Sequence, residues 1–148
     1  MKIKELVSEV GRRAGLGEID YDPAQGAQFT VGEVTLAVEA MPDGILLTAS
    51  LGPVPANAPA GFYRALLAAN FEPEDTGGTA LSINEAFDAV MACRTILQDD
   101  LPFEAFEREI TVFVNTAETW AAKLRSGAIR TETPPSDSDD YDAVHIPA

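Results

Sequence analysis

Residues 27–51 read AQFTV-GE-VTLAVEA-MPDG-ILLTASL, and their alternation decides the fold. Ala27, Phe29 and Val31, then Val34, Leu36 and Val38, then Ile45, Leu47, Ala49 and Leu51 occupy every second position. Successive side chains of a strand point to opposite faces, so each set predicts a strand with one face in the core. Only Gly32-Glu33 separates the first two sets, and a leading glycine suits a two-residue type II′ turn. Met41-Pro42-Asp43-Gly44 separates the second and third, with proline at i+1 and glycine at i+3 of a turn. The stretch is a three-stranded antiparallel meander.

Before it, Ile3, Leu6, Val7, Val10 and Ala14 recur at helical spacing among charged residues, and Gly15 and Gly17 end that helix. Tyr21-Asp22-Pro23 then gives a loop. After the meander, a proline-dense loop leads into Phe62, Tyr63, Leu66, Leu67 and Ala69, a short helix ending near Asn70. It is apolar on two sides, so it needs two layers, and in a small protein either the same chain or another subunit can supply the second. Glu72 to Gly78 reads as a polar loop. Leu81 and Ile83 mark a fourth strand and Val90 to Leu97 a fifth, joined tightly at Asn84 to Phe87.

Asp99-Asp100-Leu101-Pro102 offers an acidic N-cap and a proline for the first turn of a helix. Phe103, Phe106, Ile110, Phe113, Ala117, Trp120 and Leu124 then form one apolar stripe, which Gly127 ends. The order α-β-β-β-α-β-β-α predicts an α+β fold over residues 1–127, a twisted antiparallel sheet covered by helices. Residues 128–148 form an acidic tail; from Thr131 it holds three prolines, five acids and no Lys or Arg, a composition of disorder.

The chain has 148 residues, 24 acidic and 10 basic, for a net charge of −14. Phosphate binding needs concentrated Lys and Arg, so nucleic acid is excluded as a partner. No apolar run approaches the ~20 residues that span a bilayer, and Met1 to Ala14 lacks the continuous apolar stretch of a secretion signal. A cytoplasmic protein without membrane insertion is expected. One cysteine, Cys93, excludes an internal disulfide framework and a cysteine-cluster zinc site.

Few residues offer chemistry. His145 is the one histidine and lies in the tail, so no Ser-His-Asp or Cys-His set is expected around it. Cys93 sits in the apolar run Val90-Met91-Ala92 and reads as a buried small side chain; Arg94 beside it points to the other face. Gly77-Gly78 and the glycines of residues 11–17 match no phosphate-cradling loop. Acid pairs such as Glu72/Glu74 and Asp99/Asp100 are inevitable in so acidic a chain and read as solvated loops. No catalytic residue, metal site or cofactor is expected. A small acidic domain with more amphipathic surface than one core needs is suited to binding another protein.

Several local patterns have a known counterpart. The opening helix ending at Gly15-Leu16, the meander, the helix Phe62-Tyr63-Arg64-Ala65-Leu66-Leu67-Ala68-Ala69-Asn70, the strand opening Gly78-Thr79-Ala80-Leu81-Ser82-Ile83, and the closing helix with Phe113, Ala117 and Trp120 are the parts. Over residues 3–126 the chain resembles the class I chaperones of type III secretion, the Tir chaperone (CesT-like) family. The resemblance implies a non-enzymatic homodimer joined through the second helix, for which Phe62, Tyr63, Leu66 and Leu67 are the candidates. It implies that the amino-terminal segment of a secretion effector wraps the dimer in extended form, filling apolar grooves and adding a strand to a sheet edge. Leu6, Val10, Phe29, Val31 and Leu36 are candidates for those grooves, with core packing as the competing fate of each. YbjN-like sensory or regulatory domains share much of the arrangement and give the alternative, a domain binding a folded partner or small ligand. The tail lies outside the family core. A solubilising appendage is the plainest reading, against a guard over the grooves or a contact for a basic surface of the export apparatus.

Overall fold

The computed structural model describes residues 1–98 and 100–129, the side chain of Pro73 excepted. Alternation produces the strands where expected: β1 (Ala27–Val31), β2 (Val34–Met41) and β3 (Gly44–Pro53), followed after an interval by β4 (Ala80–Asn84) and β5 (Ala89–Ile96). They form one antiparallel sheet in the order β1-β2-β3-β5-β4. Register aligns Phe29, Leu36, Ala49, Ala92 and Leu81 in a single row across all five strands, and every member is buried. Gly32 holds φ 61° while Val31 pairs with Val34, so the β1–β2 turn has the two-residue length that the sequence predicts.

The helices are α1 (Ile3–Ala14), α2 (Ala60–Ala69), α3 (Pro73–Thr76) and α4 (Phe103–Ser126). Leu6, Val7 and Val10 of α1, Phe62, Leu66 and Ala69 of α2, and the α4 stripe from Phe103 to Trp120 all join one core with the inward sheet residues. Leu124, at the end of that stripe, is only half-buried. The opposite sheet face, bearing Gln28, Thr30, Thr35, Thr48, Ser50 and Cys93, is exposed or half-buried.

Three local expectations change. The polar stretch after Asn70 contains the one-turn helix α3, too short for any periodicity to reveal. It is held from outside, where the Trp120 indole N–H donates to the Asp75 carbonyl (3.1 Å) and the Thr116 hydroxyl to the Thr76 carbonyl (3.1 Å). The N-cap of α4 is Pro102, with no side-chain cap bond, because the Asp100 carboxylate instead accepts from the Met1 amine. Asp99, the other expected cap, lies outside the described residues. The packed core also reaches past Gly127 to Ile129, which is buried; the tail beyond it, with His145, lies outside the described residues.

Candidate functional site

The two sheet edges are built differently. In a two-residue hairpin the residues flanking the turn exchange both backbone bonds, so Val31, Phe29 and Ala27 bond to β2 while Gln28 and Thr30 direct their N–H and C=O outward. Among the described residues β1 has β2 as its one strand neighbour. Residues 15–26 run alongside this edge and are closed by a turn in which the Asp22 N–H donates to the Gly26 carbonyl (3.0 Å) and the Asp22 carboxylate accepts from the Ala24 N–H (2.6 Å). Between the segment and the strand lies a groove of about 1060 Å³. Leu16, Ile19, Tyr21 and Phe29 supply its apolar lining and Glu18, Asp20 and Asp22 its charge; among the described residues no Lys or Arg lines it. Gly11 makes the wall possible, since a Cβ there would lie 2.2 Å from the Gly17 carbonyl oxygen.

A second, smaller pocket of about 190 Å³ lies where α1, β1 and α4 meet. Val10, Ala14, Val31, Phe103 and Ile110 line it, with Arg13 and Glu107. Arg13 is fixed there: its Nε donates to Glu9 (2.6 Å), and its guanidinium stands 4.2 Å from the centre of the Phe103 ring. Hydrogen bonds from Arg12, then Arg13, hold the Glu9 carboxyl down at about 2, so it stays ionised beside them.

At the far edge, Asn70 closes what β1 leaves open. Its side-chain amide donates to the Leu81 carbonyl (3.0 Å) and its side-chain oxygen accepts from the Leu81 N–H (2.8 Å), so one outward pair of β4 is already matched. The α2 helix that carries Asn70 exposes a second stripe. Tyr63 is 40% and Leu67 70% exposed, four residues apart on one helical face, and Phe71, two residues past the helix end, is 82% exposed.

The candidate residues therefore divide. Phe62 and Leu66 are buried in their own chain, while Tyr63 and Leu67 face outward. Phe29 lines the large groove, and Val10 and Val31 the small pocket. Leu6, on α1, and Leu36, on β2, have no exposed surface and belong to the shared core. Three residues escaped the sequence reading. Ile19 and Tyr21 alternate with Glu18, Asp20 and Asp22, a period-two signal inside a segment read only as loop. Phe71 repeats the four-residue spacing of Tyr63 and Leu67 but lies two residues past the helix end.

Cys93 and Arg94 do point to opposite faces. The arginine reaches Glu109 on α4 and the Gly77 carbonyl, while the cysteine sulfur lies 3.5 Å from the Ser82 hydroxyl. Cys93 is half-buried rather than buried, because none of the described helices covers its side of the sheet. Among the described residues no group of three or more His, Cys, Asp or Glu is placed to hold a metal ion. None of the described helices is long and apolar enough to cross a membrane.

A sheet with helices on one face, an open strand edge beside a groove and an outward apolar helix stripe define a protein-binding class. Residues 5–121 match the Tir chaperone protein (CesT) family, and the chain belongs to that family. A Chlamydia pneumoniae protein is 30% identical over 126 residues, covering 84% of this chain and 95% of its own length. Among solved structures, a chain of the ExsC–ExsE complex is 25% identical with a TM-score of 0.67, covering 84% of this chain and 97% of that one. A chain of the HopA1–SchA chaperone–effector complex shares the fold, with a TM-score of 0.62 at 17% identity over 83% and 92% of the two chains. The family is that of effector-binding chaperones of type III secretion, and the YbjN-like alternative is not favoured.

Proposed function

We propose that the chain acts as a homodimer and holds the amino-terminal segment of a type III secretion effector as an added strand on β1, without a catalytic step. The observation that carries this reading is a β1 edge, unmatched among the described residues, beside a groove that carries apolar side chains as well as acids. Gln28 and Thr30 offer four backbone groups to an incoming strand. Each bond so formed contributes roughly 0.5–1.5 kcal/mol net, and each large apolar side chain that the client buries contributes about 1.5–3 kcal/mol. Two or three such side chains against Ile19, Tyr21 and Phe29 offset the several kcal/mol that ordering a flexible segment costs. The Asn70 clamp on β4 directs the client to the other edge.

Tyr63, Leu67 and Phe71 are the surface that a second copy covers. Three large exposed apolar side chains on a chain of net charge −14 are poorly served by water. Phe62 and Leu66 contribute from beneath, by fixing the angle of α2 against the core.

Light scattering is expected to give twice the 15.7 kDa chain mass. Hydrogen exchange of the chaperone with a bound effector segment is expected to slow the Gln28 and Thr30 amides. A persistent monomer at micromolar concentration contradicts the pairing, and unchanged exchange at both amides contradicts the strand addition.

A further inference from the structure

We infer that the β1 groove selects client segments in which basic residues alternate with apolar ones. This rests on the strand-addition reading above and goes beyond it by stating what the added strand carries. Glu18, Ile19, Asp20, Tyr21 and Asp22 alternate acid with apolar along the groove wall opposite β1. A strand laid between them presents successive side chains to opposite faces, so its every second residue meets Ile19, Tyr21 and Phe29. The intervening residues stand at the rim that bears the three carboxylates.

Two observations show that these charges are available to a partner. Glu18 and Asp20 belong to none of the ion pairs found among the described residues, although Glu9 and Glu109 of the same chain do. Asp22 uses its carboxylate for the N–H groups of Ala24 and Gln25, and among the described residues no cation pairs with it. The other pocket, near the end of β1, carries one carboxylate, Glu107, beside Arg13, which is paired with Glu9, so it lacks the row of three acids. Lys or Arg on the client that lies beside Ile19, Tyr21 and Phe29 is therefore drawn to the 18–22 wall. An acidic strand meets three like charges at close quarters, which makes the wall a filter as well as an attractor.

The test uses three labelled synthetic peptides, alternating valine with lysine, with glutamine or with glutamate, titrated against the full chain in low salt. A fourth peptide repeats the lysine pattern with alternate backbone amides N-methylated, which removes the edge bonds and keeps the charge. Two variants accompany the wild type: Glu18→Gln/Asp20→Asn/Asp22→Asn, where the asparagine at 22 keeps the turn acceptor, and Glu72→Gln/Glu74→Gln/Glu85→Gln, with the same net charge but changed elsewhere. The lysine peptide is expected to bind about tenfold tighter than the glutamine peptide, as three exposed ion pairs allow. That preference is expected to vanish in the 18/20/22 variant and to persist in the 72/74/85 variant. Equal affinity of the lysine and glutamine peptides, both sensitive to N-methylation, overturns the charge selection and leaves strand addition standing. So does equal loss of preference in both variants, which marks a net-charge effect. Binding that ignores N-methylation, or no binding by any peptide at millimolar concentration, overturns both.

Discussion

Replacing Asn70 by alanine tests whether the β4 edge is closed by one side chain. The asparagine amide makes two hydrogen bonds to the backbone of Leu81, at 3.0 and 2.8 Å, and Leu81 is only 4% exposed. Alanine removes both partners and leaves a strand N–H and C=O unmatched in a largely covered position. At roughly 0.5–1.5 kcal/mol for each bond, the loss is about 1–3 kcal/mol. For a chain of this length, 2 kcal/mol corresponds to a fall in Tm of roughly 4–8 °C. Asn70→Asp separates the two bonds, because aspartate still accepts from the Leu81 N–H but sets a carboxylate against the Leu81 carbonyl. The assay is urea unfolding at one fixed protein concentration, since pairing adds its own concentration-dependent stability. The midpoint is expected to fall with the slope unchanged. Hydrogen exchange at the Leu81 amide is expected to accelerate in step. An unfolding free energy within about 0.3 kcal/mol of wild type, together with an undisturbed Leu81 amide, refutes the clamp.

Leu67→Glu places a charge on a side chain that is 70% exposed, so light scattering is expected to show the monomer mass while circular dichroism stays unchanged; loss of the folded signal instead places Leu67 in the core. Leu36→Ala and Leu6→Ala truncate fully buried side chains and are expected to cost about 2–5 kcal/mol in denaturant unfolding, whereas a variant that loses client binding at full stability would mark a surface role. Glu9 has its carboxyl lowered from 4.5 to about 2, so its contribution to stability is complete above pH 4.5 and is lost as pH falls through about 2. An NMR titration of the Glu9 carboxyl is expected to show a midpoint near 2, and a midpoint near 4.5 would show that Arg12 and Arg13 do not hold it.

Sequence alone settled what depends on local periodicity. The five strands, the opening helix and the long closing helix follow from alternation and helical spacing, because in a chain this small the buried face of each element must read as apolar. The same reading reached Tyr63 and Leu67 through the two-sided pattern of one short helix. It could not tell them from Phe62 and Leu66, since both pairs are apolar and only the placement of α2 against β4 determines which is covered. Nor could it separate Phe29, on the groove, from Leu36, directly opposite it in the register and sealed beneath the helices. The groove itself arises where residues 15–26 double back past Gly11 to stand along β1, a long-range placement with no local signature. Burial in a strand is shared by every inward residue of a face, but an edge and a groove exist only once strand order and helix positions are fixed. The tertiary structure alone supplied those, and with them the difference between an open β1 and a clamped β4.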